Sequence, residues 1–213
     1  MMIDKKEKLE RYIKIVSNIL FKTQEHYLIV EYLMKSEEDD QAHYEKKMNS
    51  YFHYSRYTNW QMTVIEISKL FIEREKFSIQ KLIKKFRNDG EFKWVGLDER
   101  KIDIWFSKIN TYGLQIENLK LQRDKLYAHE DGVEHEIKGI VKLSDIDALL
   151  EIAHDVVKEV RFSLGLSLMD RKIMNSPAEN LKYSIDRLVK EKRTYMEGYR
   201  KLAKQYDLES ELD

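Results

Sequence analysis

Apolar side chains recur at three- and four-residue intervals along most of this chain, which is the spacing that lines one face of a helix. The first such run predicts a helix from Asp4 to Lys35, with Leu9, Ile13, Val16, Leu20, Tyr27, Val30 and Met34 on one face. The acidic run Ser36-Glu37-Glu38-Asp39-Asp40 then interrupts the pattern. Acids favour a helix N-terminus, so the run is expected to close one helix and open the next as a solvated turn; the alternative is a divalent-metal site. A second helix is predicted over Gln41 to Arg74, dense in aromatics from Tyr44 to Trp60 and continued by Val64, Ile67 and Phe71. A short helix over Ser78 to Phe86 and a turn at Asn88-Asp89-Gly90 follow, and Phe92 to Leu97 reads as irregular or briefly extended.

The third long helix is predicted to open at Asp98 as its N-cap and to carry Ile102, Trp105, Ile109, Tyr112, Ile116, Leu119, Arg123 and Leu126 on one stripe. Arg123 thus occupies a place where the spacing calls for an apolar residue. Gly132 is the expected stop. After a connector over Gly139 to Leu143, Ser144-Asp145-Ile146-Asp147 resembles a capping box opening a fourth long helix that reaches Leu168. The only proline lies in Asn175-Ser176-Pro177-Ala178-Glu179, where Ser is the cap, Pro the first helical residue and Glu the reciprocal partner. The last helix carries Leu181, Ile185, Leu188, Tyr195, Tyr199, Leu202 and Tyr206 at near-heptad spacing, and from Lys182 to Lys204 it is the most basic long surface of the chain.

Composition agrees with these elements. In 213 residues there are seven glycines and one proline, 36% of residues are charged, and 42% are hydrophobic, which favours a folded, all-α protein of long helices. The absence of cysteine removes disulfide frameworks, zinc ribbons, iron–sulfur sites and thiol nucleophiles. The 38 basic and 38 acidic residues balance, which argues against coating nucleic acid by bulk charge but leaves room for a local basic groove. No stretch has the uninterrupted apolar length of a membrane span, and MMIDKKEKLERY lacks an apolar signal core, so a cytoplasmic protein without membrane contact is expected.

Gly-rich phosphate loops, GxSxG elbows and HExxH words do not occur. His129 and His135 in His-Glu-Asp-Gly-Val-Glu-His match no standard metal spacing, so neither metal nor cofactor is expected, and His26 and His154 read as structural or surface residues. In the second helix, His53, Arg56 and Asn59 are interleaved with aromatics. They are compatible with stacking on bases, with Arg56 and Asn59 as weak substrate contacts, or with a bulky core or dimer face.

What remains is Arg123-Asp124-Lys125-Leu126-Tyr127-Ala128-His129. A guanidinium keeps its charge, so Arg123 in an apolar seam needs a carboxylate, a phosphate or a partner chain. His129 lies six residues on, about 9 Å along a helix axis and roughly 120° around it, so the two side chains flank a groove rather than converge. On the structural alternative, Arg123 pairs with a neighbouring acid and His129 caps the helix end.

This word resembles the HEPN superfamily of helical proteins, whose ribonucleases carry Arg, four to six residues, then His, often with a polar residue directly after the Arg. RDKLYAHED looks specifically like the abortive-infection (AbiU-type) branch. The resemblance implies an antiparallel bundle of about five long helices plus a short one: a HEPN-like domain over residues 1–175 with its core at 41–168, and a helix over 176–213 packed on or extending it. It further implies a homodimer whose two copies build a composite site for metal-independent cleavage of RNA by its own 2′-hydroxyl, in toxin or phage-defence biology. His129 would be the general acid/base, Arg123 the phosphate clamp, Asp124 an orienting group and Lys125 a weaker substrate contact. HEPN toxins controlled by a nucleotidyltransferase antitoxin often carry Tyr two residues after the His; here Asp131 stands there. The rival expectation is a non-catalytic helical module that binds a partner protein or RNA.

Overall fold

A computed structural model describes residues 2–35, 49–127, 141–167 and 176–205. Every regular element among these residues is helical: α1 (Met2–Met34), α2 (Asn49–Phe71), α3 (Ile79–Lys84), a 3-10 turn (Lys93–Val95), α4 (Glu99–Thr111), α5 (Gly113–Leu121), a π-helical turn (Gln122–Tyr127), α6 (Leu143–Ser163) and α7 (Pro177–Gln205). No helix among them is long and apolar enough to cross a membrane. The expected acidic turn at 36–40, the start of the second helix and the Gly132 stop lie outside the described residues.

The helix starts are decided by local chemistry. Ser78 accepts the Lys81 N–H to open α3, and Asp98 accepts the Arg100 N–H to open α4. At α7 the box is reciprocal: Glu179 N–H donates to Ser176 Oγ at 3.1 Å and Ser176 N–H to Glu179 Oε2 at 3.3 Å. At α6 the cap sits earlier than Ser144. Asp145 reaches back to accept the Lys142 N–H at 2.9 Å, so the first helical residue is Leu143. That helix also stops short of Leu168. Gly165 takes φ +67°, and Leu166 N–H bonds to the Arg161 carbonyl, a Schellman-type ending that satisfies orphan carbonyls.

The chain divides into two compact units, residues 1–27 with 57–173, and residues 28–56 with 174–213. In the first, Leu9, Ile13, Val16 and Leu20 of α1, Val64, Ile67, Leu70 and Phe71 of α2, and Ile102, Trp105 and Ile109 of α4 are buried. Each such side chain contributes about 1.5–3 kcal/mol on burial. α6 packs against both α3 and α4, and Trp105 Nε1 donates to Asp155 Oδ2 at 2.7 Å, giving the largest core side chain a fixed orientation. Tyr12 packs edge-on against Phe77 and hydrogen-bonds to the carbonyls of Lys76 and Ser78, which ties α1 to the turn before α3. Burial pushes the Tyr12 hydroxyl up to about 12. The turn after α3 closes tightly: a Cβ on Gly90 would stand 2.1 Å from the Lys85 carbonyl oxygen. In the second unit, Leu33, Phe52 and Ile185 form a small core covered by Ile29, Tyr32, Leu181 and Val189.

Two departures shape the site. α2 ends at Phe71, short of Arg74, and residues 72–78 form a turn that sends Glu73, Arg74 and Glu75 to three different partners. The helix expected to continue from Asp98 breaks at Tyr112–Gly113 and widens into the π turn at Gln122. A π turn is more loosely wound than an α-helix, so the 3.6-residue period no longer dictates where Arg123 points.

Candidate functional site

The π turn carries Arg123 and Asp124 on the end of the α4–α5 run, opposite the turn that follows α2. Arg123 Nε donates to Asp124 Oδ1 at 2.8 Å and Nη1 donates to Glu75 Oε1 at 2.7 Å, with Nη2 also 2.8 Å from Asp124 Oδ1. The other oxygen of Asp124 accepts from Arg74 Nη2 at 2.7 Å. Two guanidinium groups and two carboxylates therefore alternate in a chain: Arg74, Asp124, Arg123, Glu75. The Arg123 side chain is 15% exposed, against 60% for Arg74, so the cluster has an inner and an outer cation.

Burial alone pulls the Arg123 pKa down, but the hydrogen bonds and charges of Asp124 and Glu75 outweigh it and hold the group above the ordinary arginine value. Arg123 is a permanent cation here. Its seam position is accommodated within one chain by two carboxylates. A guanidinium has five N–H donors, and the three contacts to Asp124 and Glu75 leave two for a further acceptor.

The surroundings carry an uncompensated polar seam. Gln115, Asn118 and Gln122 recur at helical spacing on the approach to Arg123, and the carboxamide oxygen of each is buried with no hydrogen-bond partner among the described residues. Leaving such an oxygen unpaired costs about 1–3 kcal/mol. Strain of this kind and π turns both concentrate at functional sites.

Of the residues singled out from sequence, Arg123 and Asp124 are brought together in direct contact. Lys125 lies in the same π turn, its side chain outside the described set, and His129 and His135 lie outside the described residues altogether. Asn59 is engaged through Oδ1 by His26 Nδ1 at 2.8 Å, and Arg56 by His53 Nδ1 at 2.7 Å, one turn back on α2. His154 is buried and bonded to Gln24 Oε1 at 2.6 Å, a structural role. Arg74 and Glu75 were not foreseen as site residues. Their only trace in the sequence is the charged run Glu73-Arg74-Glu75-Lys76 closing an apolar stripe. Among the described residues no three His or carboxylate side chains gather as metal ligands would.

These features define an all-helical protein, over the described residues, with a half-buried arginine–carboxylate cluster on a π turn. No protein-family model, curated protein or solved structure matches the chain.

Proposed function

We propose that this chain is a HEPN-type, metal-independent RNA endonuclease of the abortive-infection kind, working as a cytoplasmic homodimer with a HEPN-like helical bundle. The observation that carries the reading is the state of Arg123: a permanent cation held by Glu75 and Asp124, with two N–H donors left over, inside the word RDKLYAH. A cation whose orientation is already set stabilises developing charge on a phosphorane without reorganising. In the reaction, His129 takes the proton from the RNA 2′-hydroxyl, whose oxygen bonds to phosphorus. The P–O5′ bond then breaks, and the leaving oxygen receives a proton from a His129 imidazolium, supplied by the second copy in a composite site. The products are a 2′,3′-cyclic phosphate and a 5′-hydroxyl. DNA, lacking the nucleophile, is not a substrate. Asp124 orients Arg123, and its second oxygen holds Arg74 beside it.

Purified protein is incubated with total RNA in EDTA beside His129→Ala and Arg123→Ala. Cleavage by the parent that both variants lose supports the assignment. No cleavage by the parent, or equal cleavage by all three, refutes it.

A second reading is favoured by α7. Its C-terminal half leaves apolar side chains in solvent: Tyr195 is 71% exposed, Leu202 54% and Tyr199 49%. A helical module that binds a partner protein through this stripe predicts loss of biological effect in Tyr195→Ala/Tyr199→Ala/Leu202→Ala while His129→Ala is unaffected. The opposite pattern refutes it.

A further inference from the structure

A cleft of about 690 Å³ opens between the α4–α5 run and the segment from the end of α2 into α3. Its floor is apolar: Phe71 and Ile109 lie beneath it, almost wholly buried, and Ile116 is partly exposed on it. Two amides, Gln80 and Asn110, line it and make no hydrogen bond among the described residues. Three cations, Arg74, Lys81 and Lys120, stand on its walls against two carboxylates, and one of these, Glu73, is taken by Lys84. Lys120 makes no ion pair with any described residue. The size falls within the range of small-ligand sites, about 300–1,000 Å³, and the mixture of an apolar floor with few directed polar groups is typical of them.

Gly113 carries the argument further. It lies on the cleft wall between Ile109 and Ile116, at the first residue of α5. Its φ is not positive, and a Cβ placed on it meets nothing within 4 Å. Neither backbone conformation nor a neighbouring atom demands glycine there. Gly113 lines the cleft, and the open space beside it gives a longer side chain room to reach across the opening.

We infer that this cleft binds one nucleotide unit, its base against Ile116 with Gln80 and Asn110 reading the base edge, and its phosphate at the Arg74, Lys81 and Lys120 rim. The inference rests on the ribonuclease reading for the identity of the ligand as RNA. Arg74 connects the two places, since it lines the cleft and shares Asp124 with Arg123. A base seated in the cleft therefore has its backbone leading toward Arg123, and the cleft is the subsite for the residue flanking the scissile phosphodiester. Unpaired amides suit a base edge because each offers one acceptor and two donors.

The test measures binding of a labelled short oligoribonucleotide by fluorescence anisotropy, with full-length His129→Ala as the parent so that no turnover intervenes. Gly113→Leu, which fills the cleft, is expected to raise Kd by about tenfold or more, and Asn110→Ala/Gln80→Ala by about three- to tenfold. Thermal midpoints should equal the parent's or exceed it. If Gly113→Leu melts lower, Asn110→Ala/Lys120→Ala carries the same comparison. Competition by a free nucleoside monophosphate that Gly113→Leu abolishes identifies a mononucleotide site; no competition identifies a subsite for a strand; both support the cleft. A Kd for Gly113→Leu within about twofold of the parent overturns it, as does a parent that binds neither probe. Failure of the two readings is separable. RNA cleavage retained by Gly113→Leu in the His129 protein at unchanged KM removes the cleft and keeps the ribonuclease. Absent cleavage with Gly113-sensitive binding removes the ribonuclease and keeps the cleft.

Discussion

Glu75 is the residue through which the Arg123 cluster is best tested, because the proposed ribonuclease predicts opposite effects of its charge on stability and on RNA binding. The pair is 2.7 Å apart between heavy atoms, with the arginine side chain 15% and the glutamate 32% exposed. Taking charge centres about 4 Å apart and an effective dielectric near 20, the gross attraction is about 4 kcal/mol. Withdrawing a guanidinium from water offsets a large part of it, and hydrogen bonds to charged groups retain about 1.5–3 kcal/mol. Partial exposure of Glu75 lowers the figure further, toward the range of about 0–1 kcal/mol for surface pairs. The coupling between the two side chains is therefore expected at about 1–2 kcal/mol. In a double-mutant cycle of Glu75→Gln and Arg123→Met, urea unfolding is followed by far-ultraviolet circular dichroism. Methionine keeps most of the buried stem, so the cycle isolates the charge pair. Glu75→Gln alone should destabilise by about 1.5–2.5 kcal/mol, and by less than about 0.5 kcal/mol when Arg123 is already Met. On the ribonuclease reading, Glu75→Gln keeps an acceptor for Arg123 but removes the negative charge that competes with a phosphate, so RNA affinity in a His129→Ala background should rise while stability falls. A coupling below about 0.3 kcal/mol would refute the ion-pair account. A fall in both stability and affinity would refute competition between the Glu75 charge and a phosphate.

Other expectations follow from single features. Asn118 is 4% exposed with an orphan carboxamide oxygen, so Asn118→Leu should raise stability by about 1–2 kcal/mol in the same urea assay; a loss would show that the amide has a partner. Ile185→Ala opens the small core against Leu33 and Phe52 and should cost about 2–4 kcal/mol, read as faster amide exchange around residues 181–189; unchanged exchange would contradict the packing. Lys8 and Lys85 hold Glu91 below the ordinary glutamate pKa, so its contribution is complete above the unfolded-state value near pH 4.3 and disappears as pH falls through the lower folded value. Accordingly the midpoint difference between the parent and Glu91→Gln should vanish in acid, and a constant difference down to acid pH would be inconsistent with that pairing. Tyr12 has the opposite sign: its hydroxyl stays protonated up to about pH 12, so the stability it confers is intact below pH ~10 and is lost as pH rises through its folded pKa, visible as a late phenolate step in ultraviolet absorbance that Tyr12→Phe removes.

Much of the helical plan was legible from local signals. The Ser78 and Asp98 caps, the Ser176-Pro177-Glu179 box and the α1 face from Leu9 to Val30 occur where spacing and capping chemistry put them, because each depends on residues within a turn or two of one another; at the end of α1 Met34 is 55% exposed and Leu33 is buried instead. The register of the buried stripe over Ile102, Trp105, Ile109 and Leu119 is of the same kind. Short-range rules failed where competing partners are distant in sequence. Nothing near Phe71 announces that α2 stops there; beyond the stop, Lys84, Asp124 and Arg123 each take one of three successive charged residues. The weak substrate candidate Asn59 is likewise engaged by His26, 33 residues away, whereas the partner of Arg56, His53, is a near neighbour on the same helix.

The charge of Arg123 and its oddity within an apolar stripe were properties of the sequence itself, since residue type and a 3.6-residue period suffice to see both. Its partners were settled by tertiary structure alone. Glu75 lies 48 residues away and Arg74 is 50 residues from Asp124. Chain segments so distant meet only because the apolar faces of several helices are buried together. The cleft beside Gly113 has the same origin: the glycine was visible as a residue, but the space it leaves exists only between two walls that separate parts of the chain supply. Local sequence chose the helices and one unusual cation; packing chose what the cation touches and where a ligand has room.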